Sequence, residues 1–274
     1  MTLFFIVDSF GNFEPAKAES YFDNFLFALE TIDKPTLEYI EKLLQMGKNI
    51  LIDSGVYAIV SAYSKKKGVP INHAFTMPPD KIDGFNDLYE SYLRIITALK
   101  DRVWGYIEID LGKTEDKIRT REKLERAGLK PMPVYHPLTD PPEYFDYLCE
   151  HYDRICVGQL AQTASDIRLK MICHIEMRRK KYPHLWIHYL GITISQYCYQ
   201  FKIDSCDSSA WSQCVRWGKI DIRSLLKPVD CIEKRIFDFN DKDSRLKALK
   251  LSGLNFAFNK YDIENYLKET NADI

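Results

Sequence analysis

Apolar runs recur along this chain, and segments with helical spacing separate them. LFFIV (3–7) opens the series, and NILIDSG (49–55) is continuous, branched and stopped by Gly55. VWGYIEIDLG (103–112) leads into TEDKIRTREKLERAG (114–128), where Ile118, Leu124 and the closing Gly128 suit a capped helix. PMPVYH (131–136) precedes a helical PPEYFDYLCEHY, and RICVGQL (154–160) precedes a long helical pattern at 165–182. LWIHYLGI (185–192) and FKIDSCD (201–207) follow, joined by a short helical segment near 193–200.

Continuous apolar strands alternating with helices predict a parallel sheet buried on both faces. Seven such strands lie before residue 210, and an eighth is expected at 215–222. That count predicts an α/β fold of the (β/α)8, TIM-like barrel class, which takes roughly 250 residues. An open doubly wound sheet is the runner-up, but no Gly-rich phosphate loop follows the first strand. The polar insertion 64–83 is expected to be a flexible loop at the active site. From about 230 the chain carries one strand-like run, KRIFDF, and two helical patterns, 242–251 and 261–269. No linker sets them apart, so residues 1–274 read as one barrel domain with 230–274 as a small C-terminal extension.

Composition changes this picture little. The chain is 46% hydrophobic and 28% charged, ordinary for a globular protein. The start, MTLFFIVDSF, reads as a first strand rather than a signal peptide, and no apolar run nears the ~20 residues of a membrane span. Seven scattered cysteines fit reduced thiols in the cytoplasm, and without a CxxC pair a structural zinc site has no support. The net charge of −1 neither favours nor excludes nucleic acid. Two basic runs, Lys65-Lys66-Lys67 and Arg178-Arg179-Lys180-Lys181, read either as solvated faces or as phosphate contacts.

Barrel enzymes keep their chemistry at the C-terminal ends of the strands. Here those ends carry Asp53, Asp110, His136, Gln159, Gly191 and Asp207. One such aspartate is explained as a helix N-cap, but three at corresponding ends are not explained by packing, because a buried carboxylate is costly unless paired. Two carboxylates facing a sugar carbon suit glycosyl transfer. One attacks C1′ and stays ionised; the other shuttles a proton and benefits from a raised pKa. The stretch DSCDSSAW (204–211) offers two acids for the first role, Asp204 and Asp207, which strand alternation puts on opposite faces.

The ordered series LIDSG, EIDLG, VYH, VGQLA, YLGIT and CDSSAW resembles the tRNA-guanine transglycosylase superfamily. More narrowly it resembles the short phage and bacterial DNA guanine transglycosylases, which install 7-deazaguanines, bases related to queuosine, in DNA. The likeness covers roughly residues 48–220. It implies a (β/α)8 barrel that swaps guanine through a covalent glycosyl–aspartate intermediate. The family's DSG aspartate, the general acid/base, falls on Asp53, beside Ser54 and Gly55; its base-reading aspartate falls on Asp110. Its pocket glutamine falls near His136, a departure, and its GGLA loop falls on Gly158-Gln159-Leu160-Ala161, where Gln159 replaces a glycine. Its LMGVG turn resembles Leu190-Gly191-Ile192.

In the DNA-type members the nucleophile lies four residues before a Trp, so Trp211 points to Asp207. Ser208 and Ser209 are then expected near that carboxylate or a phosphate. Tyr57 reads equally as a base-stacking or a packing residue, and Trp211 as core. The zinc cluster of the tRNA enzymes is missing, which favours DNA over tRNA. The implied partners are DNA and a free 7-deazaguanine such as 7-cyano-7-deazaguanine, with helper proteins left open, no cofactor and no membrane. The implied setting is the cytoplasm of a bacterium or a phage-infected host. The target base must be flipped or unpaired, with Lys65–Lys67 on the strand and a basic rim around the pocket. Other readings are tRNA base exchange, a glycoside hydrolase, and a non-catalytic nucleic-acid-binding subunit, the last suggested by His136 and Gln159.

Overall fold

The computed structural model describes residues 3–193, 201, 203–212, 219–222, 233–236 and 241–253. Eight parallel strands run β1 (Leu3–Val7), β2 (Asn24–Ala28), β3 (Asn49–Asp53), β4 (Gly105–Tyr106), β5 (Val134–Tyr135), β6 (Arg154–Val157), β7 (Trp186–Tyr189) and β8 (Ser205–Ser208). Their order in the sheet is β4-β3-β2-β1-β8-β7-β6-β5. A parallel bridge between Ile107 and Met132 joins the two outer strands, so every strand follows its chain neighbour around a (β/α)8 barrel.

The eighth barrel strand is not where the apolar pattern put it. It is β2, NFLFA, whose Phe, Leu and Ala carry no β-branched signal and no flanking glycine. The run near 215–222 instead supplies β9 (Lys219–Ile222), which pairs antiparallel with β10 (Glu233–Ile236) in a separate two-stranded sheet. Its polar–apolar alternation, KIDI, suits a strand covered on one face rather than two. A helix over 242–253 matches the expected tail pattern. The segments expected to be helical at 193–200 and 261–269 fall, apart from Thr193, outside the described residues.

Helices α1 (Phe10–Ala16), α2 (Lys34–Gln45), α3 (Val56–Lys67), α4 (Ile71–Phe75), α5 (Phe85–Leu99), α6 (Thr114–Arg126), α7 (Pro142–His151) and α8 (Ser165–Arg179) surround the strands. Period-two alternation splits the strand side chains into two cores. Phe5, Leu26, Leu51, Ile107, Val134 and Cys156 fill the barrel interior. Their alternates, such as Phe4, Phe25, Ile50 and Ile155, pack against the helices.

The expected loop at 64–83 is largely helical. It is the end of α3, then α4, then a 3-10 turn at Pro79–Lys81. Polar residues, lysines and prolines make up most of it, yet Ala74 and Phe75 are buried anchors that fold it back over the strand ends.

The β4–β5 seam is the thinnest part of the wall, with two-residue strands on either side. Buried side chains of α6 reinforce it. Arg121 Nη1 donates to Glu108 Oε2 at 2.8 Å and to the Tyr144 hydroxyl at 2.9 Å, while the Val134 N–H donates to Glu108 Oε1 at 2.6 Å. Lys117, fully buried, pairs with Asp140 and donates to the Val134 carbonyl at 3.2 Å. Burial pushes the Glu108 carboxyl up, against the opposing pull of Arg121.

Candidate active site

The same alternation that points Leu51 into the barrel points Asp53 to its mouth, two residues on. In register, Asp53 sits beside Ala28, Asp207 beside Phe5, and Ser205 beside His188. The mouth holds a cavity of about 420 Å³, within the range of small-ligand pockets. Asp53, Asp110 and Asp207 all line it, from β3, the segment after β4, and β8. Tyr57, His136, Gly158, Gln159 and Gly191 line it as well.

Burial, and next the negative charge of Asp110, push the Asp53 carboxyl up to about 7; Glu30 and Asp207 add to the rise, and the Gly55 N–H, 3.2 Å from Oδ2, opposes it. Asp207 is held through one oxygen. Its Oδ1 lies 3.1 Å from His188 Nε2 and accepts from the Gly191 N–H at 3.0 Å. Among the described residues none hydrogen-bonds its Oδ2, and Asp207 lines the cavity.

The two acids of DSCDSSAW part company. Asp204 lies just before β8, accepts the Ile187 N–H at 2.9 Å and pairs with Arg179 at 2.5 Å. It is a structural acid, and Arg178 pairs likewise with Asp146 at 2.5 Å. Half of the second basic run is thereby committed to the protein itself. Trp211 is fully buried and stacks on Phe13 at 5.8 Å.

Asp110 is paired across the cavity wall. His136 Nε2 lies 2.7 Å from Asp110 Oδ2, and the His136 ring packs edge-on against Phe75. Gly158 makes room for that ring, because a Cβ there lies 2.8 Å from His136 Cδ2. Gln159 has φ 63°, a left-handed backbone that favours glycine and costs another residue about 1–2 kcal/mol. Its amide offsets part of that cost by donating to Thr139 Oγ1 at 3.2 Å. Gln159 is therefore a wall residue tied to its neighbour.

Other expected site residues lie elsewhere. Ser54 and Leu160 are fully buried beside the mouth and do not line it. Gly55 has φ 76° and abuts the Glu30 carboxylate, so it shapes the loop rather than the cavity wall. Ser208 Oγ is taken up by Thr193 at 2.9 Å and by the Ala210 N–H at 3.1 Å, and Ser209 is exposed outside the cavity. Lys65, Lys66 and Lys67 close α3, roughly 15 Å along the helix from its mouth-facing start at 1.5 Å per residue. Lys66 pairs there with Asp83 at 2.6 Å. Among the described residues, no Lys or Arg lines the cavity. The strand ends that make this lining contribute carboxylates, and the lysines sit at the far end of a helix.

Three residues near the mouth stand outside the strand-end pattern of the sequence. Glu30 follows β2, the strand that went unrecognised, and burial raises its carboxyl as well. Phe75 was hidden in the polar insertion. His188 was legible by alternation, two residues before Leu190 in WIHYLGI.

A stability effect follows from Asp53. Between the ordinary carboxyl value of 3.8 and about 7, the folded chain keeps a proton that the unfolded chain has lost. Stability therefore falls as pH rises through that window. Asp53→Asn removes the charge, so at pH 8 it is expected to be more stable than the parent by about 2–4 kcal/mol. The gain should vanish below about pH 4, where both states of the parent are protonated. Urea unfolding at the two pH values checks this; equal gains at both contradict the raised value.

The fold and its mouth define the class: a (β/α)8 barrel with three aspartates around one strand-end cavity. No family model and no curated protein matches the sequence. Among solved structures the chain is similar to a protein from Aquifex aeolicus VF5 at 11% identity and TM-score 0.52, over 94% of this chain and 93% of that one. It is also similar to tryptophan synthase subunit alpha from Campylobacter jejuni at 12% identity and TM-score 0.45, over 91% and 94%. A third is N-(5′-phosphoribosyl)anthranilate isomerase from Pyrococcus furiosus, at 11% identity and TM-score 0.36, over 91% and 99%. At these identities the likeness concerns the fold alone. Among the described residues, no helix is long and apolar enough to cross a membrane, and no group of three or more acids, histidines and cysteines is placed to hold a metal ion.

Proposed function

We infer that the protein is a guanine transglycosylase, a pentosyltransferase that exchanges guanine in DNA for a 7-deazaguanine base. The observation that supports this most is the pairing of unlike acids at one cavity: Asp53, raised to about 7, and Asp207, held through Oδ1 with no hydrogen bond to Oδ2 among the described residues. Two carboxyl groups with different surroundings suit a proton carrier and a nucleophile.

In the first half-reaction Asp207 Oδ2 bonds to C1′ as the C1′–N9 bond breaks. The electron pair leaves with guanine, which takes its proton from Asp53. In the second half the incoming base gives its N9 proton to Asp53, and N9 bonds to C1′ as the C1′–Oδ2 bond breaks. Asp207 is then a free carboxylate again and Asp53 is reprotonated, so the cycle closes without a cofactor. A value near neutrality suits a group that must give and take a proton in turn. Asp110 and His136 face the base, and Tyr57, 53% exposed beside Phe75, supplies a flat apolar face at the entrance.

The test is to incubate the protein with DNA or tRNA and 7-cyano-7-deazaguanine, then digest to nucleosides for mass spectrometry. Deazaguanine is expected in the DNA deoxynucleosides. Its appearance in tRNA alone reassigns the substrate, and its absence from both sinks the transferase reading.

A further inference from the structure

We propose that His188 is a positioning residue for Asp207, whose ring N–H, together with the Gly191 N–H, holds the carboxylate charge on Oδ1 as the glycosyl ester breaks down. The inference rests on the glycosyl–Asp207 reading above.

Three buried groups form a chain across adjacent strands β7 and β8. Ser205 Oγ lies 2.5 Å from His188 Nδ1, and His188 Nε2 lies 3.1 Å from Asp207 Oδ1. His188 and Ser205 are both fully buried. The imidazole is fixed by packing as well: it lies edge-on to Phe5 at 5.7 Å and parallel to Trp186, 9° apart at 6.2 Å. An ionised carboxylate oxygen only accepts, so Nε2 must carry a hydrogen to satisfy it. A neutral ring with that tautomer leaves Nδ1 to accept from the Ser205 hydroxyl, and all three groups are then satisfied without a second buried charge.

The order of the chain sets the role. Serine and histidine have no exposed surface, while the aspartate faces the cavity. This is therefore not a serine nucleophile with an aspartate behind its histidine. The aspartate reacts and the serine orients the ring.

Two donors on Oδ1 act unequally on the two half-reactions. When Oδ2 bonds to C1′, Oδ1 becomes the ester carbonyl and loses most of its charge. When the C1′–Oδ2 bond breaks, the electron pair returns to the carboxylate and spreads onto Oδ1, where both N–H groups await it. Preorganised donors aimed at developing charge carry large rate effects. Removing the His188 donor should therefore slow ester breakdown without slowing its formation, and the covalent adduct should accumulate.

Rapid-quench measurement of adduct formation and decay on a guanine-containing oligonucleotide, with 7-cyano-7-deazaguanine as acceptor, tests this. His188→Leu is expected to decay about 10²-fold more slowly than the parent, the scale of losing one such donor. His188→Gln, which offers an amide N–H in place of Nε2–H, should recover most of the decay rate. Should the leucine variant fold poorly, Ser205→Ala serves instead: it frees the ring tautomer and should slow decay by a smaller factor. Nitrogen NMR of the parent should find the His188 proton on Nε2. Equal decay rates in parent, His188→Leu and Ser205→Ala, or a proton on Nδ1 alone, overturn the role of His188. If the parent itself forms no adduct, the glycosyl–Asp207 reading fails first and takes this role with it.

Discussion

Asp207→Asn is expected to abolish base exchange, with a loss of at least about 10⁴-fold, because an amide oxygen cannot displace a purine from C1′. The substitution is nearly isosteric. Its side-chain oxygen still accepts from the Gly191 N–H, which lies 3.0 Å from Oδ1 in the parent, so the fold should survive. Asp53→Asn should lose less, about 10²–10⁴-fold, the usual worth of a general acid/base. It should also still form a slow adduct with DNA, whereas Asp207→Asn should form none. The assignment reverses if the two variants exchange behaviours. It also separates Asp207 from Asp204, whose carboxylate is occupied by Arg179 and the Ile187 N–H. Asp204→Asn should therefore alter stability and leave the adduct intact.

The second large effect concerns the wall of the barrel rather than its mouth. Arg121→Met removes the cation that sits 2.8 Å from Glu108 in a fully buried setting. A buried charge that loses its partner costs about 3–5 kcal/mol. At roughly 2–4 °C per kcal/mol for a chain of this size, Tm should fall by about 10 °C. Adding Glu108→Leu should restore part of the loss, because an apolar pair of similar volume is often as stable as the ion pair it replaces. Calorimetry of the parent, both single variants and the double variant reads this directly. A drop below 1 °C for Arg121→Met would mean that the short β4–β5 seam holds without its α6 staple.

The barrel was legible wherever a strand is branched, apolar throughout and stopped by a polar residue. NILID and RICV meet that description and sit in the wall as expected. NFLFA does not, since Phe, Leu and Ala at this spacing read as well for a helix as for a strand; its pairing with β1 on one side and with all of β3 on the other reveals it. The loss of that strand hid Glu30. The aspartates at the mouth were legible because strand alternation is strict: a polar residue two positions after an inward Leu51 has nowhere else to point. The same rule turns His188 inward, two residues before Leu190. Residues whose placement depends on three-dimensional folding of an insertion were not legible. Lys65–Lys67 look like a phosphate clamp in sequence, yet the length of α3 carries them away from the cavity. Phe75 looks like loop filler, yet it forms part of the cavity wall.

The mouth is acidic, and that bears on any nucleic-acid substrate. Asp53, Asp110 and Asp207 suit the sugar carbon and the base, while the phosphates on either side need cations that the described lining residues do not supply.

The most direct test of the central claim is to trap the protein on a guanine-containing oligonucleotide, digest it, and locate the mass increment by peptide sequencing. An abasic-site glycosyl mass on Asp207, lost in Asp207→Asn and removed when a deazaguanine base is added, is the result expected. Base exchange proceeding with no adduct, or with the increment on Asp53 or another residue, contradicts it.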